Sequence, residues 1–316
     1  MRPRHCKADA RVGLRVTKAT PDHGRWKIEE PTSIAANPSI DLGRASGVKF
    51  LRPFPLVARR LLELIDHESV HLREVSRLLA TDAAFSSQVL RVANSALLGS
   101  RYEVTSIQRA LSALGVNRVR ALVVTVALKN YIGHHGDNVF LRRCWRHNLG
   151  TALWCDLLAN CCNVEKAMGY TAGLLHDIGR IALLMLFPHD YALFVSDSMR
   201  GGPSDLEAER NLCDADHCQI GHHLSESWNF PLALSDVIAH HHDAAGPGTP
   251  ALRRLVRSAC VAANMSGFRA AGAECAWDTA RLLDLLPRRN ARLLPPAEVL
   301  MERVATAFSD VERGLL

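Results

Sequence analysis

Apolar positions recur at spacings of three and four from Phe54 onward, where Leu56, Leu61, Leu62, Leu64 and Ile65 set the period of an amphipathic helix. A short helix is expected over residues 71–80. A longer one, capped by Asp82, should reach Ala96 with Leu90, Val92, Ala93 and Leu97 on its inner side. Thr105 or Ser106 can cap the next, which Gly115 ends, and a fifth covers residues 117–131 before the break at 133–138. Further helices are expected over residues 141–162, 165–175, 178–187, after Pro188, and then over 204–212, 216–228, 232–242 and 251–266. Pro295-Pro296 should open a last one, with Val299, Leu300, Val304 and Phe308 on one side. Residues 1–48 lack this periodicity. The pattern thus predicts an all-α, two-lobed helical bundle with lobes at 49–136 and 137–270, a leader at 1–48 and a C-terminal helical extension at 271–316.

Charge sharpens the picture of the leader. The chain of 316 residues carries a net +6, and residues 1–50 hold ten Lys or Arg against five Asp or Glu, so +5 of it lies there and the body is near neutral. A near-neutral body argues against a nucleic-acid platform. The basic, weakly apolar leader reads as a solvated, disordered extension able to touch acidic partners. No segment approaches the about 18 uncharged apolar residues that a membrane span needs; the longest candidate, residues 121–128, lies between Arg120 and Lys129. The first residues lead into no apolar stretch, so no secretory signal is expected. The nine cysteines are an odd number and mostly sit in apolar helical patterns, which reads as reduced, buried thiols in a cytoplasmic protein. The helix, glycine, helix order around Gly115 superficially suggests a DNA-reading turn. The following helix, however, is dominated by Val, Leu and Ala, with only Arg118 and Arg120 to reach a groove.

Candidate chemistry concentrates in the second lobe, where nine of the fifteen histidines fall between Cys144 and Asp243. At its centre is Gly173-Leu174-Leu175-His176-Asp177-Ile178-Gly179-Arg180. Adjacent helical residues splay about 100° apart, so His176 and Asp177 can share a metal only at a helix end, and Gly173 and Gly179 suit close packing there. The structural alternative is Asp177 as a cap of the next helix, with His176 bonded to a backbone carbonyl. His147 alone reads as a satisfied core histidine; its partners raise it to a candidate ligand. The run His240-His241-His242 can instead end a helix, where cationic imidazoles meet terminal carbonyls. Arg180 and Lys166 are candidate phosphate-binding groups, or solvated surface charges. Asn94 suggests an inter-helix hydrogen bond.

His147, then the pair His176-Asp177, resembles the HD superfamily of metal-dependent phosphohydrolases, whose pattern ends in a distant Asp. The matching stretch, residues 258–265, offers Asn264, an uncharged amide that would hold a divalent cation less firmly. Leu90-Arg91-Val92-Ala93-Asn94-Ser95-Ala96 and Ile107-Gln108-Arg109-Ala110-Leu111-Ser112-Ala113-Leu114-Gly115 narrow the resemblance to the HDOD family, a bacterial signalling branch. So do Asp216-His217-Cys218-Gln219-Ile220-Gly221-His222-His223-Leu224 and Trp228-Asn229-Phe230-Pro231, and together the matches span roughly residues 50 to 270.

The resemblance implies an HD-domain-like second lobe and a regulatory module with a degenerate metal site, acting on a signalling protein partner rather than by turnover. It also implies one divalent transition metal (iron, manganese, zinc or nickel) held by His147, His176, Asp177 and, weakly, Asn264. A second metal could take His217, His241 and His242. The alternative it carries is a metal-dependent phosphohydrolase or phosphodiesterase acting on a nucleotide or cyclic nucleotide. The stretch after the paired histidines, residues 243–250, has glycines and prolines but no Gly-Tyr-Pro, which argues against cyclic di-GMP as substrate.

Overall fold

The computed structural model describes residues 43–64, 72–94, 104–133, 138–202, 206–287 and 294–315, and among these every regular element is helical. A short 3₁₀ helix, Gly43–Phe50, precedes the first-lobe helices α1 (Leu56–Glu63), α2 (Leu72–Ala80), α3 (Ala83–Ala93), α4 (Ile107–Leu114) and α5 (Val116–Gly133). The second lobe holds α6 (Val139–Cys162), α7 (Lys166–Leu175), α8 (Ile178–Leu186), α9 (Asp190–Met199), α10 (Leu206–Cys213), α11 (His217–Ser227), α12 (Leu232–His240) and α13 (Ala251–Met265). Then come α14 (Thr279–Leu285) and α15 (Ala297–Leu315). Most of the leader, including the whole of residues 1–42, lies outside the described residues, as do His134 and His135. Its last turn does not stand apart: Ala45 and Val48 are buried, and the 3₁₀ helix packs against α8, α10 and α11.

Local chemistry sets the helix starts. Asp82 accepts from the Phe85 amide at 2.9 Å, Ser106 from Arg109 at 3.2 Å and Asn138 from Phe140 at 2.9 Å, satisfying amides that have no partner within the helix. Asp216 and Gln219 form a reciprocal capping box at the start of α11. Gly115 ends α4 at φ +79°, a conformation that a Cβ would disfavour. Asn94 clasps the chain across ten positions, donating to the Val104 carbonyl at 3.0 Å and accepting from its amide at 2.6 Å.

The long helix α6 is the spine, buried along most of its length and packed between α7 and α13. α7 reaches across to α5, and α15 lies against both α3 and α6, so the C-terminal extension joins the two lobes. Leu300, Val304, Phe308 and Val311 drive that docking, each burial contributing about 1.5–3 kcal/mol before entropic costs. The groove-reading possibility for α5 fails on burial: residues 119–128 are all buried, Arg120 among them, and Arg118 pairs with Asp156 of α6 at 2.5 Å. Among the described residues no helix is long and apolar enough to cross a membrane.

Two glycines let backbones meet where the histidines gather. A Cβ on Gly179 would collide with the His217 carbonyl, and one on Gly173 would sit 2.7 Å from Cys155 Sγ. α8 therefore touches the start of α11, and α7 lies directly on α6.

Candidate metal centre

α7 ends in His176, whose backbone is still helical, and α8 begins after Asp177, whose side chain makes no cap hydrogen bond. The junction breaks the 100° splay and turns both side chains into the lobe. His147 comes from the middle of α6, His217 from the first turn of α11, and His241 and His242 from the end of α12. These six side chains converge, and five of them are at most 3% exposed. His147 Nε2 lies 3.3 Å from His176 Nε2, and His217 Nε2 lies 3.0 Å from His242 Nε2. Asp177 sits between the pairs, with Oδ2 3.8 Å from His147 Nε2 and Oδ1 3.2 Å from His217 Nε2 and 3.7 Å from His241 Nε2.

The outer nitrogens explain the orientation. His147 Nδ1 meets the Phe268 carbonyl at 2.6 Å, His176 Nδ1 the Gly173 carbonyl at 2.7 Å and His241 Nδ1 the Ile238 carbonyl at 3.1 Å. A carbonyl only accepts, so each Nδ1 carries the proton and each Nε2 presents a lone pair inward. This is how proteins orient metal-ligating imidazoles. Burial, the largest influence, pushes the pKa of His147 down and that of His241 well down, and takes His176 and His242 to about 3. These four rings stay neutral, as ligands must.

His217 differs. Its Nδ1 meets Glu209 at 2.5 Å, and its backbone amide donates to the same carboxylate at 2.9 Å. Burial and Arg180 oppose a charge on the ring, yet Cys218, Glu209 and Asp177 outweigh them and hold its pKa well above the usual histidine range. Glu209, fully buried, also accepts from Arg180 at 2.6 Å and from the Tyr191 hydroxyl at 2.7 Å. Burial works against its charge, but Arg180 and His217 bring its pKa down to about 2. Arg180 completes the set by pairing Nε with Asp177 Oδ2 at 2.9 Å. Against burial, Arg180 and then the imidazoles hold Asp177 well below the carboxylate range.

Two buried atoms in this otherwise satisfied cluster have no hydrogen-bond partner, Asp177 Oδ1 and His241 Nε2. His147 and His176 face each other lone pair to lone pair. Nitrogens held about 2.1 Å from a tetrahedral metal stand about 3.4 Å apart, close to the spacing of that pair. The donor set therefore fits a transition metal. His176, Asp177 and His241 form one group able to hold an ion, His147 and His176 belong to a second with Cys260, and His217, His241 and His242 to a third with Cys218.

The other site residues of the sequence fall differently. Asn264, half-buried on α13, turns its amide nitrogen to Cys260 Sγ at 3.9 Å. Arg180 is buried rather than a solvated charge, its Nε and Nη1 engaged with Asp177, Glu209 and Tyr191, and it lines the cavity beside the cluster. Lys166 is exposed at the start of α7, ten residues and so about 15 Å of helix from His176. His222 and His223 are half-buried on α11. Sequence reasoning missed Glu209 and Cys260. The signal for Glu209 was a carboxylate four residues before Cys213 on the inward face of α10.

A cavity of about 310 Å³ opens onto the cluster, lined by His147, Asp177, His242, Cys260 and Asn264, with Arg269 and Arg281 in its wall.

The HDOD domain family model matches residues 51–244. Among solved structures, the chain is 23% identical to a candidate phosphohydrolase from Shewanella amazonensis SB2B, covering 88% of this chain and 100% of that one at a TM-score of 0.66. It is 23% identical to an HDOD domain protein of unknown function from Geobacter sulfurreducens, covering 83% and 88% at a TM-score of 0.64. With a candidate signal transduction protein from Marinobacter aquaeolei VT8 it shares 19% identity over 88% of this chain and 68% of that one, at 0.64. Among curated proteins it is 24% identical to an uncharacterized protein of Treponema pallidum (strain Nichols), over 67% of this chain but only 42% of that longer protein.

Proposed function

The chain belongs to the HDOD family, and from that premise we propose that it is a regulatory module of signal transduction, acting through contacts with a protein partner and without turnover. The observation that carries the reading is the state of the carboxylates. Asp177 is committed to Arg180 at 2.9 Å, and where a second aspartate would add charge the chain has Asn264, its amide turned to a sulfur. An ion held by His147, His176 and Asp177 would then serve structure or sensing. The Marinobacter relative, described as a signal transduction protein, shares the fold and supports the same class.

A second reading, a metal-dependent phosphohydrolase, is favoured by the cavity. It brings His147, Asp177 and His242 within reach of a small ligand and places Arg269 and Arg281 where they could hold a phosphate. A bound divalent ion would supply Lewis acidity and an activated water. This chain's own residues would orient the phosphate and keep the imidazoles unprotonated.

Asn264→Asp separates the two. Metal content per chain and release of phosphate from esters and cyclic dinucleotides would be measured on the untagged full chain, with His176→Ala as control. The regulatory reading expects metal to rise in N264D with no turnover in either protein. Turnover in the native chain or in N264D, lost in H176A, overturns it.

A further inference from the structure

We propose that Cys260 is a thiolate ligand of the metal centre, supplying from one helical turn earlier the anionic donor that Asn264 cannot. This rests on the cluster holding a metal. Cys260 and Asn264 are four residues apart on α13 and share a face of the helix. Cys260 Sγ lies 3.7 Å from His147 Nε2 and, with His147 and His176, forms a set whose donor atoms all stand within 4.8 Å of one another.

Burial pushes the free Cys260 thiol up to about 12, so it is a thiol until a cation displaces its proton, and three features place it where a cation could. His147 and His176 have both Nδ1 protons committed to carbonyls, so their facing Nε2 lone pairs hold no proton between them at 3.3 Å. Cys260 is their neighbour on the cavity side, 9% exposed and lining the space that opens to solvent. The Asn264 amide lies against the sulfur at 3.9 Å, so the residue that lost the carboxylate becomes an outer partner of the one that replaces it.

Binding is a simple exchange. The S–H bond breaks, its proton leaves to solvent, and the sulfur pair forms the metal bond with no change of oxidation state. Two imidazoles and a thiolate suit zinc, and cobalt(II) as its spectroscopic substitute, over magnesium or manganese. The family pattern of imidazoles and carboxylates alone would not make that choice.

The test is cobalt(II) titration of the metal-stripped full chain, followed by absorption, with zinc affinity measured in parallel. The native protein should take up cobalt with an intense near-ultraviolet sulfur-to-metal band. Cys260→Ala should abolish the band and weaken zinc by about 100-fold, since losing a ligand costs at least as much as losing an outer partner. Cys260→Ser, closer in size, guards against a folding artefact, checked by circular dichroism. Cys218→Ala, which alters the third group, should keep the band. Cobalt bound without a sulfur band overturns the Cys260 assignment while leaving the metal centre standing. A band that survives C260A and disappears in C218A moves the thiolate to the other group. No cobalt uptake overturns both the assignment and the metal reading beneath it.

Discussion

Two halves of one buried cluster meet at Asp177 and behave in opposite ways. On one side Arg180, Glu209, Tyr191 and the His217 imidazolium satisfy one another, with contacts of 2.5 to 3.1 Å. On the other, His147, His176 and His241 present lone pairs to a space in which His241 Nε2 has no hydrogen-bond partner and Asp177 Oδ1 has only its ion pair with His217 at 3.2 Å. Buried polar groups left unpaired are costly, so a folded chain tolerates them where a ligand completes them. The closed half is satisfied from within the chain, and the open half has the donors to hold a cation.

Acid should break this balance most, because several groups act with one sign. His176 and His242 sit at about 3 when folded against 6.5 when exposed, so between those values the unfolded chain binds protons that the native one does not. Stability of the metal-free protein should fall steadily as pH drops below 6.5, read as a falling urea midpoint. Glu209, at about 2 against 4.5, extends the loss further down in the same direction. His217 has the opposite sign, but its contribution is lost only on the alkaline side, as pH rises through its raised pKa. A midpoint flat from pH 7 to 5 would mean that the open half is already proton-tolerant.

Glu209→Ala attacks the closed half directly. It strands Arg180 and His217 without their shared carboxylate and should cost about 3–5 kcal/mol in denaturant unfolding, with or without metal. A loss under about 1 kcal/mol would show that the network carries little of the fold. His241→Leu probes the open half instead. It removes the unbonded Nε2 together with the Nδ1 donor to the Ile238 carbonyl, so metal-free stability should fall by about 1–3 kcal/mol, less than for Glu209→Ala. The extra stability conferred by metal, about 2.7 kcal/mol at a hundredfold excess over Kd, should shrink sharply. Equal losses from both variants, metal absent, would erase the distinction between the halves.

The two halves also differed in how far the sequence revealed them. The helices of the second lobe follow the three-and-four spacing to within about two residues at each end, because amphipathic period and caps are local properties. His147, His176 and Asp177 stood out by their resemblance to the HD pattern, and His217, His241 and His242 as the further ligands that resemblance implies. The carbonyls that fix them, of Gly173, Ile238 and Phe268, carry no side-chain signature at all. Glu209 was hidden because its partners lie on α8, α9 and α11, and only tertiary packing brings them together. Arg180 read as a phosphate contact or a surface charge, since nothing local shows that two carboxylates bury it. Cys260 looked like one more small residue in an apolar run.

Arg180 carries a charge that no physiological pH removes and no chelator extracts. With the His217 imidazolium it balances Asp177 and Glu209 from within the chain, so these carboxylates need no imported cation to be neutralised. Stripped of any ion, the scaffold should therefore still fold, its counter-charges being part of the chain.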